Sequence, residues 1–466
     1  MSRRRVLLAV AAGLLWLAGL AATPLFESTE GRYGSVAAEM RRGGDWLEPH
    51  FNGLVHLTKP PLAYWAGALG LTLLPDGEFA LRLPATLAWL AGALLLYPLA
   101  LDLGLDRRRA RWAAWLGGTA PLAMVQGHML SSDVFLALGV ILAYRGVLSA
   151  GPGWRRALWT GAGLAVGLLA KGHMVLFWCW LPLAVGLPLA REPRRLLTLA
   201  HPLTWLLLLG LGLPWFVAEI LRHPGLLHYW IWGETEQRYL STAHGRAEPW
   251  WYFLALTPAA LLPWLPEAAR GLWRGLRDRR RATLVAWALL PLLLLSLSGS
   301  KRPNYLLPLV PPLALMAAAA LPEGALRGLR WRTGLWVGLA ILAPLVLGLR
   351  SDWTPPTRAL VRAAKAEGGP LVAYRVMPTA LSYYWGSPVP VLEREPTGPF
   401  DSPAALARWA PTDPIVLTAA LEAGGAVLAG SGDDQALERA TGIALRPRAR
   451  AGRLALWCRE VPGGAP

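Results

Sequence analysis

Charged residues are scarce in this chain of 466 residues, making up 16% of the sequence. Soluble domains carry about 25%, so the composition argues against an ordinary soluble protein with a charged surface. Hydrophobic residues account for 54% of the chain. Several apolar stretches exceed the roughly 18 residues that indicate a membrane-spanning helix. The sequence therefore predicts an all-α polytopic membrane protein.

Cysteine and the common soluble catalytic motifs are also lacking. The two cysteines are Cys179, in an apolar run, and Cys458, near the C-terminus. This excludes a cysteine-based metal site and argues against a disulfide. The chain has no P-loop, GxGxxG, HExxH or GxSxG motif, so soluble nucleotide or metalloprotease chemistry is not expected.

The apolar runs predict about eleven membrane-spanning helices. They cover residues 6–23, 83–104, 110–127, 132–149, 157–170, 174–190, 197–220, 251–266, 283–298, 304–321 and 333–349. The first run is long and further runs follow it, which favours an uncleaved helix over a signal peptide. A shorter run, 62–74, lies between Pro61 and Pro75 and is predicted to be an interfacial helix.

The positions of the arginines set the predicted orientation. With the N-terminus inside, the arginine-rich loops all lie on the cytoplasmic side, as the positive-inside rule requires. The formal net charge of +17 then needs no nucleic-acid partner. The non-cytoplasmic side receives a first outer loop at 24–82, a second at about 221–250, the turn "SGSKRPNY" and the tail after residue 350. An inner-membrane, multi-pass protein is expected.

The tail alternates strand-like with helical pieces. "PLVAYRV", "PIVLTAAL", "AVLAGS" and "RLALWCREV" are strand-like, whereas "ALVRAAKAE", "SPAALARWA" and "DQALERATG" are helical. This predicts a transmembrane domain at 1–350 and a small extracytoplasmic α/β domain at 351–466.

Lysine is rare, since four of the 46 basic residues are lysines. Three of them, Lys59, Lys171 and Lys301, fall at predicted outer ends of the membrane domain. Lysines at such places can simply extend to lipid headgroups, but arginine would serve equally well there. A compact ammonium that binds phosphate explains the choice better.

Candidate carboxylates follow the first helix and open the fourth. Glu27, Glu30 and Arg32 lie where the chain leaves the membrane, ahead of an amphipathic helix that continues through Arg41. Asp133 lies at the predicted outer mouth of the fourth span. Each acid could instead cap a helix or form a structural salt bridge, so the residues alone leave both roles open.

The second outer loop and the "SGSKRPNY" turn add further polar groups to the same side. Arg238 and His244 lie among a row of aromatic residues, which could also be an interfacial belt. Tyr305 follows Lys301 in the turn. These residues extend the predicted outer cluster of cationic and hydrogen-bonding groups.

An ordered series of segments resembles the ArnT/PMT-like integral-membrane glycosyltransferases of the GT-C fold. The matching pieces are "TEGRYGSVAAEMRRGGDWLEPHFNG", "KPPLAYW", "EFALRLPA", "SSDVFLALG", "LLAKGH", "LPWFVAEI", "ETEQRYLSTAHGRAEPWWY" and "SGSKRPNYLLPLVPP". They cover residues 25 to 312 in the family's order. The resemblance implies transfer of a sugar, hexose or pentose, from a polyprenyl-phosphate donor to a lipid, glycan or protein acceptor.

The resemblance also implies roles for individual residues. Glu30 is implied as general base, Asp133 as a second carboxylate, and Glu27 as the alternative base. The residues implied to bind the lipid phosphate are Lys59, Arg32, Arg238, Lys301 and Tyr305. Further candidates for the substrate cavity are Lys171, His56 and His244.

Two positions depart from the family pattern. Thr29 precedes Glu30 where many members have an Asp-Glu pair, so Glu30 and Glu27 both remain candidate bases. Thr58 precedes Lys59 where aminoarabinose transferases can carry an acid. No metal ligands are assigned and a divalent cofactor is left open. Aminoarabinose becomes a less expected sugar, and the identity of the sugar stays open. The competing interpretation is a non-enzymatic polyprenyl-phosphate carrier or flippase.

Overall fold

The computed structural model describes residues 3–27, 29–236, 248–322, 326–350, 355–395 and 399–460. The chain divides into two compact units. The first comprises Met1–Ala12, Thr58–Ala63 and Arg82–Leu342. The second comprises Gly13–Leu57, Tyr64–Leu81 and Ala343–Pro466. The second unit thus includes most of the predicted first outer loop, and the predicted domain boundary at residue 350 stays a prediction.

Most of the described residues before 350 are helical. The α-helices are Arg3–Ala22, Glu30–Gly43, Leu62–Leu73, Glu78–Asp102, Arg107–Thr119, Pro121–Gly127, Ser132–Leu148, Gly153–Lys171, Met174–Leu189, Leu197–Ala200, Pro202–Leu207, Pro214–Arg222, Leu226–His228, Tyr252–Leu261, Leu265–Arg277, Ala282–Leu297, Val310–Ala319 and Leu326–Leu349. Short 3-10 helices lie at Pro193–Leu196, Arg279–Arg281 and Pro303–Leu309, and π-helices at Leu208–Gly212 and Tyr229–Glu236. The predicted all-α architecture is confirmed.

Several predicted continuous helices are interrupted. Among the described residues, Glu78–Asp102, Arg279–Leu297 and Gly328–Leu349 are long and apolar enough to cross a membrane. Two bent helix pairs bring this number to as many as five. The predicted helix at 110–127 breaks before Pro121, and the one at 197–220 breaks at its prolines, because proline lacks the amide proton that continues a helix. The count of eleven spans stays a prediction.

A five-stranded mixed sheet forms the center of the C-terminal region. Two short strands precede it, β1 (His50–Phe51) and β2 (Leu54–Val55), which pair with each other. The sheet strands are β3 (Leu371–Tyr374), β4 (Val391–Leu392), β5 (Ala426–Gly430), β6 (Leu445–Ala451) and β7 (Leu454–Arg459). Their order is β4-β3-β5-β7-β6, with β3 parallel to both neighbours. The predicted small α/β part of the fold near the C-terminus is confirmed, while its extent as a separate domain stays a prediction.

Helices cover both faces of this sheet. Alternate strand residues point to opposite faces, and two apolar clusters result. Leu371 and Leu428 pack with Leu360 of the helix Thr357–Glu367. On the other face, the apolar cluster is formed by Val372, Tyr374, Val427, Trp457, Leu417 and Leu437. The remaining helices of this region are Leu381–Trp385, Pro403–Trp409, Ile415–Glu422 and Asp434–Thr441.

The strand predicted at "PIVLTAAL" is wrong, because this segment is the helix Ile415–Glu422. Its start is fixed by Asp413, whose carboxylate accepts the Ile415 amide at 2.9 Å. Pro414 occupies the N-cap position, and its backbone angles are already helical. The strand-like sequence of this segment therefore predicted the wrong type of element.

Glu39 holds three parts of the second unit together. Its carboxylate accepts the amides of Asn52 at 2.8 Å and Gly53 at 2.9 Å, and the Ser382 hydroxyl at 2.5 Å. Burial raises the pKa of Glu39 above its ordinary value, although these three hydrogen bonds oppose the shift.

Replacing Glu39 with alanine is expected to lower the free energy of unfolding by about 3 kcal/mol, because buried donors lose their acceptor. Glu39→Gln keeps a carbonyl acceptor in the same place and should cost less. The measurement is the thermal unfolding midpoint of both variants in detergent. Equal midpoints for Glu39→Ala and the unchanged protein would contradict this role.

Candidate functional site

The central residues of the site lie at the ends of two antiparallel helices of the first unit. These helices are Ser132–Leu148 and Gly153–Lys171. A short connection joins them, and glycines let them approach closely. A Cβ atom on Gly139 would lie 2.6 Å from the carbonyl oxygen of Gly163, a contact only glycine avoids. Small residues allow this kind of packing between apolar helices. The start of the first helix is thereby held beside the end of the second.

Asp133 and Lys171 meet at this place in a salt bridge. Their side chains are 4% and 11% exposed. Asp133 lies in the first turn of its helix and Lys171 in the last turn of the other, where the helix dipoles favour these charges. The second carboxylate oxygen of Asp133 accepts the Asn304 amide at 2.5 Å. Ser131, and not Asp133, occupies the N-cap position.

Tyr305 contributes an aromatic face to the same cluster. It lies in the 3-10 helix Pro303–Leu309, next to Asn304. The Lys171 ammonium is 4.2 Å from the centroid of its ring, within the range of a cation–π interaction. Lys171 therefore contacts a carboxylate and an aromatic ring at once, which fixes its position.

Lys59 and His173 lie at the edge of this cluster. The Lys59 ammonium donates to the carbonyl oxygen of Thr58 at 2.9 Å. Burial, followed by the positive charge of Lys59, lowers the pKa of His173 below its ordinary value. His173 is therefore neutral at pH 7, and Lys59 and Lys171 provide the cationic groups.

These groups line one end of a cavity of about 320 Å³, here called the central cavity. Its polar lining consists of Thr58, Lys59, Asp133, Lys171, His173, Ser298, Ser300 and Tyr305. Its apolar lining includes Leu136, Leu168, Met174, Trp178, Phe216, Leu227, Trp230, Ile231 and Leu295. A cavity with ammonium groups beside a large apolar wall matches a ligand that joins an anionic group to a hydrocarbon chain.

Lys301 is not among the residues that line the central cavity, and its ammonium is bonded to the backbone. Its side chain is 6% exposed, and its ammonium donates to the carbonyl oxygens of Ser298 at 2.5 Å and Glu248 at 2.9 Å. Burial lowers its pKa. These bonds hold the turn that precedes Tyr305, so Lys301 has a structural task that the sequence did not reveal. Its predicted phosphate contact stays a prediction.

The remaining candidate residues fall into two groups. Arg238 and His244 lie outside the described residues. Glu27, Glu30, Arg32 and His56 belong to the second unit, which is described by itself.

Within that unit, Glu27 and Glu30 have different surroundings. One Glu27 oxygen accepts the Thr357 hydroxyl, and the other accepts the amide and the hydroxyl of Thr379 at 2.6 and 2.8 Å. Glu30 is completely buried at the start of the helix Glu30–Gly43 and accepts the Phe26 amide at 2.9 Å. Glu27 thus ties the first-loop segment to the C-terminal segments of the same unit.

Arg32 and His56 also lie in the second unit. Arg32 is half-buried on the helix Glu30–Gly43. His56 is buried between the rings of Phe51 and Tyr64, at centroid distances of 5.4 and 6.4 Å. These contacts identify His56 as a packed residue of an aromatic cluster, and its predicted cavity role stays a prediction.

Asn304 and His173 were missed by the sequence analysis. Each is within three residues of a lysine that was selected, in "SGSKRPNY" and "LAKGH". The sequence could have indicated them only as polar residues in loops between apolar helices. Asparagine and histidine are common in loops, so this feature does not single them out.

The residues lining the central cavity do not fit a divalent cation. Mg²⁺ and Ca²⁺ take several oxygen ligands, with carboxylates prominent among them. Asp133 supplies the one carboxylate among the described lining residues, and it already pairs with Lys171. A cation bound there would have to displace an ammonium.

Known proteins are similar to this chain in sequence and in fold. Residues 58–221 match the family described as dolichyl-phosphate-mannose-protein mannosyltransferase. The undecaprenyl phosphate-alpha-4-amino-4-deoxy-L-arabinose arabinosyl transferase of Pseudomonas aeruginosa is 35% identical over 370 residues, which are 74% of this chain and 65% of that protein. The protein of the same name from Aeromonas salmonicida is 33% identical over 355 residues, 72% of this chain and 64% of the relative.

The chain thus spans just under two thirds of the length of these relatives. Its fold is similar to the crystal structure of ArnT from Cupriavidus metallidurans bound to undecaprenyl phosphate. The TM-score is 0.83 at 21% identity, with 100% of both chains covered. Family match, relatives and fold agree: the chain resembles the ArnT/PMT-like membrane proteins in sequence and has the GT-C fold.

Proposed function

We propose that this protein transfers a sugar from a polyprenyl-phosphate donor to a lipid, glycan or protein acceptor on the non-cytoplasmic face of the inner membrane. The observation that carries the proposal is the central cavity, in which Lys59 and Lys171 lie beside Asp133 and a large apolar wall. The arginine-rich loops support the orientation. The names of the relatives support a pentosyl donor as the first to test.

In the proposed reaction the acceptor hydroxyl attacks the anomeric carbon of the donor sugar. The bond from that carbon to the phosphate oxygen breaks, and polyprenyl phosphate leaves with the electron pair. Negative charge grows on the leaving phosphate, so the ammonium of Lys59 stabilises the transition state more than the ground state. Lys171 is held by Asp133 and Tyr305 and supplies a second fixed positive charge. Phosphate contacts from Arg32 and Arg238 remain part of the proposal, and that of Lys301 stays a prediction because its ammonium is bonded to the turn carbonyls.

The hydroxyl proton goes to a carboxylate, and we propose Glu30 for this role over Glu27, as the resemblance of the segment "TEGRYGSVAAEM" implies. Three hydrogen bonds from Thr357 and Thr379 occupy both oxygens of Glu27, which makes it a structural anchor. The proposed step uses no divalent cation held by the lining residues of the central cavity.

Sugar transfer in membranes tests this function. The protein is supplied with radiolabelled polyprenyl-phosphate pentose or hexose, and label in lipid, glycan and protein fractions is counted. Glu30→Gln is expected to slow transfer about 100-fold, the usual size of a lost general base. Glu27→Gln should lower the unfolding midpoint but preserve turnover per folded molecule, and EDTA should leave turnover unchanged.

Unaltered turnover in Glu30→Gln would remove the proposed base. Movement of polyprenyl phosphate across proteoliposomes without transfer of label would favour the alternative, a non-enzymatic lipid carrier or flippase.

A further inference from the structure

A second cavity lies wholly within the second unit, with a volume of about 440 Å³. Five of its lining side chains are cationic, four of them arginines, and we call it the arginine groove. The lining consists of Arg41, Arg42, Leu71, Asp76, Gly77, Glu78, Arg358, Val361, Arg362, Lys365, Tyr383, Tyr384 and Gly386. It includes Lys365. The other three lysines of the chain lie in the central cavity or in the turn next to it.

The two carboxylates of the groove neutralise two of its five cations. Arg41 pairs with Asp76 at 2.6 Å, and Arg358 pairs with Glu78 at 3.1 Å. The Tyr384 hydroxyl also donates to Glu78 at 3.0 Å. Three positive charges therefore remain in excess over the carboxylates of this lining.

The excess charges come from two helices. Arg362 and Lys365 are exposed and share one face of the helix Thr357–Glu367 with Arg358, because residues three and four apart are neighbours on a helix. Like charges at this spacing destabilise a helix. A face selected only for solubility gains nothing from this repetition, whereas a site for an anion does.

Arg42 is the third excess charge. Burial, followed by the charge of the adjacent Arg41, lowers the pKa of Arg42. Its guanidinium lies 3.5 Å from the carbonyl oxygen of Ser382 and 3.4 Å from that of Tyr383, which are long contacts for a charged donor. A bound anion would satisfy this guanidinium better than these carbonyls do.

We propose that the arginine groove binds a phosphate-bearing group. Guanidinium groups bind phosphate oxygens in pairs, and an ammonium adds a point charge beside them. The volume suits a headgroup or a phosphorylated sugar. The phosphate can belong to a bilayer lipid or to a soluble phosphate ester, and the binding does not depend on the proposed sugar transfer.

Native mass spectrometry of the full chain in detergent tests the site. The probes are phosphatidic acid, which carries a phosphomonoester, and phosphatidylcholine as the zwitterionic comparison. The variant Arg362→Gln/Lys365→Gln is expected to bind phosphatidic acid about tenfold more weakly, since two charged contacts are lost. The matched control Arg408→Gln/Arg439→Gln removes the same charge from exposed residues outside the groove and should bind like the unchanged protein.

A pyrophosphate arm distinguishes the two sources. Displacement of phosphatidic acid by inorganic pyrophosphate would support the proposal and show that the site recognises the phosphate group without the rest of the lipid. Selective retention of phosphatidic acid without displacement supports it with a lipid headgroup as ligand. Equal weakening by both double variants, or by neither, would overturn the proposal.

Discussion

Replacing Lys59 with alanine is expected to lower kcat/KM for the polyprenyl-phosphate donor by about 100-fold or more. The size follows from losing one preorganised positive group next to an oxygen that gains charge in the transition state. Lys59→Arg keeps the charge but changes its shape and reach, so we expect an intermediate rate. The measurement is the initial rate of label transfer at several donor concentrations.

The control for this prediction is Arg439→Ala, which removes an exposed positive charge from the C-terminal domain. It should retain the rate of the unchanged protein. A Lys59→Ala variant that keeps more than half of the turnover would show that the leaving phosphate does not lie against Lys59.

The second large effect concerns the buried pair of Asp133 and Lys171. Lys171→Met leaves a buried carboxylate without its ammonium, and Asp133→Asn leaves the ammonium without its carboxylate. Each single change is expected to lower the free energy of unfolding by about 3 to 5 kcal/mol, as found for broken buried ion pairs. The double variant removes both charges and should recover most of that loss.

Among these three variants, the transfer rate should not rise and fall with the free energy of unfolding. The double variant lacks the positive charge of Lys171 in the central cavity, so we expect transfer at about 1% of the unchanged rate or less. Thermal unfolding midpoints and transfer rates of all four proteins provide the test. A stable double variant with full activity would reduce the pair to a structural salt bridge.

The architecture was predictable because it depends on composition over long windows. Apolar runs located the helices, and strand-like segments located β3, β5 and β7. The wrong predictions arose where one or two residues decide whether a helix breaks or begins. Pro121 breaks the mostly apolar run 110–127, which was predicted to be one helix. Asp413 and Pro414 start a helix where a strand-like sequence indicated a strand.

The site was predictable in part for a similar reason. A lysine in a chain that otherwise uses arginine stands out in the sequence alone, and Lys59 and Lys171 both line the central cavity. The pairing of Lys171 with Asp133 depends on the close approach of Gly139 and Gly163, which no local pattern reveals.

Lys301 shows the limit of that reasoning. Its rarity gave the same signal, yet its ammonium is bonded to the carbonyl oxygens of a turn. Whether a lysine faces a ligand or the backbone depends on the path of the turn itself, and the residue type does not encode it.

Photo-crosslinking with a diazirine-bearing polyprenyl phosphate tests the central claim most directly. The label lies on the isoprenoid unit nearest the phosphate, and peptides carrying it are identified by mass spectrometry. We predict that the label attaches to the segments containing Met174, Trp178 and Trp230, which line the central cavity, and that Lys59→Ala reduces labelling. Labelling confined to segments outside this cavity, or unchanged in Lys59→Ala, would contradict the account.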